Sequence, residues 1–163
     1  MKGLFLFFLA LIASSVAQAK DPFACMYSGN VPSKGIFTFE IWRAPDFDKD
    51  TSFRLCDLAG ETFLLVKAKA GKSFKVRRID LDAAQFTKFK GLYQDALGAN
   101  FKDDTVGLDG SSWCLEASRM QYLKACFWSP GENTDARGVG SFLVLGTALW
   151  EFAQFGNSNG KLY

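Results

Sequence analysis

Between Ser111 and Trp128 the chain carries two complementarities that agree on one strand pairing. If Arg119, Met120 and Gln121 form a three-residue loop, Cys114 falls opposite Cys126 and Glu116 opposite Lys124. Trp113, Leu115, Leu123, Ala125 and Phe127 then share the other face. A slip of one residue would set Glu116 against Leu123 and part the cysteines, because side chains in a strand alternate with a period of two. The stretch therefore predicts an antiparallel hairpin with a Cys114–Cys126 bridge on its outer face. Cys25 and Cys56 remain as the second pair.

Such bridges need an oxidising compartment, and residues 1–19 predict one. Met1-Lys2-Gly3 is basic, Leu4 to Ala13 is apolar without a break, and Ser14 to Ala19 ends in a small-x-small triplet. That is the pattern of a secretory signal cleaved after Ala19. The apolar run is shorter than the about 20 residues a bilayer span needs. Phe142 to Trp150 is interrupted by Gly146 and Thr147, and no cysteine directly follows the cleavage site to carry a lipid. The expectation is a signal peptide at 1–19 and one exported domain at 20–163, periplasmic or secreted, with no membrane anchor.

Four cysteines allow three connectivities. Metal binding is the competing use of them, but the chain has no histidine and no C-x-x-C pair, so neither a zinc site nor any cofactor is expected. A net charge of +2 is far from the strongly basic sum of a nucleic-acid binder, and no nucleic acid is expected as a partner.

Periodicity supplies the elements. Ile36 to Arg43 alternates, with Phe37, Phe39 and Ile41 on one face, and Pro45 ends it. Phe53 to Leu58, Thr62 to Ala70 and Ser73 to Ile79 complete an antiparallel meander. The period then changes: Phe86, Phe89, Leu92, Tyr93, Ala96 and Leu97 form a helical stripe, capped by Asp80 or Asp82 and stopped by Gly98 in a left-handed conformation. Thr105 to Leu108 reads as a strand joined through an Asp109-Gly110 turn to Ser111–Ser118, and Tyr122 to Trp128 as its partner. Ala136 to Phe155 reads as one final helix, capped by Thr134 or Asp135 and stopped by Gly156. The fold class predicted is α+β: a mostly antiparallel sheet made of a β-meander, a helix and three further strands, then a C-terminal helix, with the helices packed on the apolar face.

Chemistry is less legible. Without histidine, a Ser-His-Asp or Cys-His nucleophile is excluded. Ser73, Ser111 and Ser112 sit where turn chemistry explains them. Glu40, Asp109 and Glu116 are the weak candidates for a paired-carboxylate mechanism, although Lys124 accounts for Glu116 and the turn for Asp109. Asp46, Asp48, Asp50 and Asp57 approach a calcium-loop spacing, but Thr51 stands where that loop needs glycine. The basic run Lys67, Lys69, Lys72, Lys75, Arg77 and Arg78 reads either as a solvated edge that resists aggregation or as an anion-facing patch. Lys67, Lys69, Lys75 and Arg77, with Trp128 on the cystine face, are the candidate binding residues.

By elimination the chain reads as an exported non-enzymatic binding protein, such as a periplasmic inhibitor or an immunity-type protein acting on a cell-envelope-directed toxin or hydrolase. The expected partner is another exported protein or an anionic envelope polymer. The alternatives are a small acid/base enzyme acting on glycan or peptidoglycan, and a structural subunit of an envelope complex.

Overall fold

Phe37, Phe39 and Ile41 alternate with polar neighbours and are at most 1% exposed, which makes their strand the centre of the molecule. The computed structural model describes residues 21–26, 32–33, 35–43, 48–58, 60–70, 72–117 and 122–153. Residues 1–19, expected to be a signal peptide, residues 119–121, expected to form a loop, and Gly156 lie outside them. In chain order the elements are β1 (Cys25–Met26), β2 (Pro32–Ser33), β3 (Phe37–Arg43), β4 (Asp48–Leu58), β5 (Glu61–Ala70) and β6 (Ser73–Asp80). After them come α1 (Ala83–Ala96), β7 (Ser111–Ala117), β8 (Leu123–Trp128), α2 (Thr134–Arg137) and α3 (Gly140–Phe152).

β3 to β8 form one six-stranded antiparallel sheet in the order β6-β5-β4-β3-β7-β8, and β1 and β2 pair separately. The meander runs from β3 outward to β6. The chain then crosses through α1 and adds β7 to the free side of β3. The predicted hairpin register holds at every pair: Cys114 faces Cys126, Glu116 faces Lys124 and Trp113 faces Phe127. Both disulfides, Cys114–Cys126 and Cys25–Cys56, are formed.

α1 and α3 pack on the face that carries Phe37, Phe39, Ile41, Phe53, Leu55, Leu64, Val66, Trp113 and Leu115. Asp82, rather than Asp80, caps α1 in a capping box: Gln85 N donates to its Oδ1 at 2.8 Å, and Asp82 N donates to Gln85 Oε1 at 3.0 Å. Tyr93 stacks on Phe37 at 4.9 Å. From α3, Phe142, Leu145 and Leu149 are fully buried. Gly146 lets this helix approach: a Cβ there would stand 2.2 Å from the Trp113 ring and 2.9 Å from Phe39.

Four local expectations need correction. Residues 105–108 form no strand, because both edges of β7 are taken by β3 and β8. The Asp109-Gly110 pair accordingly leads into β7 instead of turning a hairpin. α1 ends on Leu97 in the right-handed region, and Gly98 is not left-handed. The C-terminal helix is broken in two, since Gly138 at φ 68° closes α2 before α3 starts at Gly140. Neither Thr134 nor Asp135 caps a helix: both lie inside α2, and the Thr134 hydroxyl donates to Pro130 O at 2.8 Å.

A second small core lies on the opposite side of the sheet. Phe23, Cys25, Cys56, Leu58, Phe63 and Leu65 are buried together there, so segment 21–26 covers part of β4 and β5.

Candidate functional site

The pleat sends alternate residues to opposite faces, and the register decides which side chains meet. On the face away from α1 and α3, one row runs Arg78, Leu65, Arg54, Thr38, Glu116 and Lys124 across the six strands. The next runs Val76, Lys67, Ser52, Glu40, Cys114 and Cys126. We call this the cystine face. Trp42, opposite Ser112, and Trp128 continue it toward one end of the sheet.

This register divides the basic run. Lys67 pairs with Val76 and Lys69 with Phe74, whereas Val66 pairs with Arg77 and Ala68 with Lys75. Lys67 and Lys69 therefore belong to the cystine face, and Lys75 and Arg77 to the helix side. Arg77 Nη2 donates to the Ala153 carbonyl at the end of α3, where a cation complements the helix dipole. The candidates share one hairpin but do not form one patch.

Cations and aromatic rings alternate over the cystine face. Lys67 Nζ lies 4.8 Å from the Phe74 ring centroid and 5.9 Å from that of Phe23. The Arg54 guanidinium lies 4.5 Å from Phe23, that of Arg78 3.9 Å from Phe63, and Lys124 Nζ 5.9 Å from Trp42. Such contacts attract through the ring quadrupole. Arg54 also donates to Thr38 Oγ1 at 3.1 Å and to Phe23 O at 2.6 Å. Burial pulls its pKa below the usual guanidinium value, against the opposing pull of Asp21, Glu116 and Glu40. Arg78 is held above that value by hydrogen bonds to Glu61 at 2.9 Å and Asp80 at 2.7 Å.

Glu40 and Glu116 share this face, one diagonal step apart on β3 and β7. Glu40 accepts from the Trp42 indole at 3.3 Å, and Arg54 interacts electrostatically with both carboxylates. Both carboxylates therefore lie in the field of the Arg54 guanidinium. Asp109 stands apart, exposed in the loop before β7. An open groove of about 400 Å³ lies elsewhere, between α1 and α3, lined by Gln85, Lys88, Phe89, Ala148, Glu151 and Phe152.

Trp128 occupies the cystine face as expected, but a loop covers it. A Cβ at Gly107 would stand 2.3 Å from its indole nitrogen, so the backbone there rests on the ring. The loop is held by Arg137 and Asp103, a pair that no local pattern signals because 34 residues separate them. Arg54 was equally hidden, since alternation within β4 gives its face but not its neighbours. Neither a protein family nor a curated protein matches this sequence.

Proposed function

We propose that the protein is an exported, non-enzymatic binding protein of the inhibitor or immunity type, and that the cystine face engages another exported protein. The observation that carries this reading is that Lys67, Arg78 and Lys124 stand over one sheet face beside the accessible rings of Phe74 and Trp42, on a floor formed by the buried Phe23 and Phe63 and the half-buried Arg54. Arginine and aromatic side chains supply most of the energy at protein interfaces, and the lysines favour an acidic counter-surface and fast, salt-sensitive association. The two cystines support an oxidising compartment and stiffen the face. The glycan-hydrolysing alternative finds less support, because Arg54 faces both Glu40 and Glu116 and Asp109 is remote from them.

The test is affinity capture from an envelope and secreted fraction, followed by titration with the purified partner. Lys67→Glu/Lys69→Glu/Lys124→Glu is expected to weaken binding at least tenfold and to flatten its salt dependence. Lys75→Glu, on the other side of the sheet, should bind as the parent does. Equal binding by both variants would remove the cystine face from the reading, and retention of only anionic envelope polymer would replace the protein partner.

A further inference from the structure

At Ser129 a buried hydroxyl, a strained backbone and a fixed cation meet. The residue directly follows β8 and precedes Pro130, whose ring pushes the residue before it toward extended backbone. Ser129 nevertheless holds φ 36°, in the left-handed region. The Arg137 guanidinium grips the chain on both sides of it: Nη2 donates to Trp128 O at 2.6 Å and Nη1 to Ser129 O at 2.9 Å. Nη1 also donates to Glu132 O at 2.9 Å, while Nη2 and Nε reach the two Asp103 oxygens at 2.7 and 3.2 Å. On the other side of the Trp128–Ser129 peptide, Ser129 N donates to Ser111 O at 2.7 Å.

The side chain between these clamps bonds to nothing. Ser129 is 1% exposed, and its Oγ has no hydrogen-bond partner among the described residues. Gly110 closes over it, since a Cβ there would stand 2.2 Å from that oxygen and 3.3 Å from the Trp128 ring. A buried polar group left unsatisfied on strained backbone is a combination that marks functional sites. An electrophile is tethered to this hydroxyl: Oγ, Cβ, Cα and N of Ser129 close a five-membered ring with the carbonyl carbon of Trp128. Intramolecular attack of this kind enjoys a large effective concentration. The oxygen that takes up negative charge in it is Trp128 O, which the Arg137 cation already holds.

We propose that Trp128–Ser129 is a self-processing site, at which the peptide bond rearranges to an ester and then opens to give a nicked, two-piece protein. Ser129 Oγ bonds to the Trp128 carbonyl carbon, the C–N bond breaks, and the hydroxyl proton passes to the Ser129 nitrogen, which becomes a free amine. Water then hydrolyses the ester, leaving a carboxylate on Trp128 and restoring the Ser129 hydroxyl. The step needs no histidine, because the departing nitrogen is itself the proton acceptor. Cleavage releases Ser129 from its left-handed conformation, which drives the reaction forward. Both cystines lie before the break, so no covalent link joins the pieces. Phe142, Leu145 and Leu149 of the second piece are fully buried, and their packing keeps the two together.

The test incubates the full, disulfide-intact protein at neutral pH, with and without hydroxylamine, which cleaves esters, and reads chain masses after unfolding. A chain ending at Trp128 and one beginning at Ser129 are expected, in a yield that rises with hydroxylamine. Ser129→Ala should lose both chains, because it removes the attacking oxygen. That oxygen bonds to nothing in the parent, so the variant should fold, and thermal unfolding checks this. The break should also be lost in urea, where the backbone of Ser129 and the contacts of Arg137 are released. A merely structural serine would give neither loss. Cleavage at Asn159-Gly160, which hydroxylamine also attacks, yields a different mass and confirms that the reagent is active. Three results would overturn the proposal: no chain ending at Trp128, the same break in Ser129→Ala, or an equal rate of cleavage in urea.

Discussion

Arg137 and Asp103 form a two-pronged ion pair whose side chains are only 9% and 5% exposed. Removing one member of such a pair strands the other without solvent, which costs about 3–5 kcal/mol. Asp103→Ala is therefore expected to lower the urea midpoint strongly. Arg137→Lys should lower it too, because an ammonium cannot reproduce the planar fork that reaches both carboxylate oxygens and three carbonyls.

The same pair predicts a pH dependence. Hydrogen bonds from Arg137 hold the Asp103 carboxyl below its ordinary value, outweighing the upward push of burial, and the Thr105 hydroxyl helps. The unfolded chain thus binds this proton more readily than the folded one. The stabilisation is complete above the ordinary carboxylate value of about 4 and is lost as pH falls through the lower folded value. Urea midpoints at pH 6 and pH 3 should differ less in Asp103→Asn than in the parent.

The two cystines should separate under reduction. Cys25 and Cys56 are completely buried, whereas Cys126 is exposed on an edge strand. Graded dithiothreitol followed by alkylation and mass mapping should open Cys114–Cys126 first. The loops they close span 31 and 12 residues. In the chain-entropy description Cys25→Ser/Cys56→Ser should cost about 4 kcal/mol and Cys114→Ser/Cys126→Ser about 3.

Gly146→Ala should destabilise by about 1–3 kcal/mol, the range for overpacking a full core. The added methyl would meet the Trp113 ring, which is completely buried and donates its indole N–H to Ser111 Oγ at 2.7 Å. Thermal unfolding of the variant checks this, and an unchanged midpoint would mean that α3 can shift away from the sheet.

Ser129→Gly should do the reverse. Ser129 holds φ 36° and its buried hydroxyl has no hydrogen-bond partner among the described residues. Glycine removes both costs, left-handed backbone at about 1–2 kcal/mol and an unsatisfied hydroxyl, against a smaller entropic loss. A higher melting temperature is the expected outcome.

Strand alternation was readable locally, and so was the register of β7 on β8, because sulfur, charge and apolar pairing all pointed to one alignment. The capping of α1 was readable within a residue or two for the same reason: it depends on neighbours in sequence. Where the expectations failed, the deciding partner was distant. Thr105–Leu108 lacks a strand partner because β3 had already taken the free edge of β7.

The amino-acid order alone thus determined the strands of the sheet, the stripe of α1 and the Cys114–Cys126 cystine, since each follows from a short-range period or a pairing over one turn, and Cys25–Cys56 followed as the remaining pair. Tertiary structure decided which elements became neighbours. It placed β7 beside β3, sent Lys67 and Lys69 to one side and Lys75 and Arg77 to the other, and brought Arg137 to Asp103. Those outcomes depend on how the whole chain buries its apolar faces and satisfies its buried charges, and no short window of sequence contains that information.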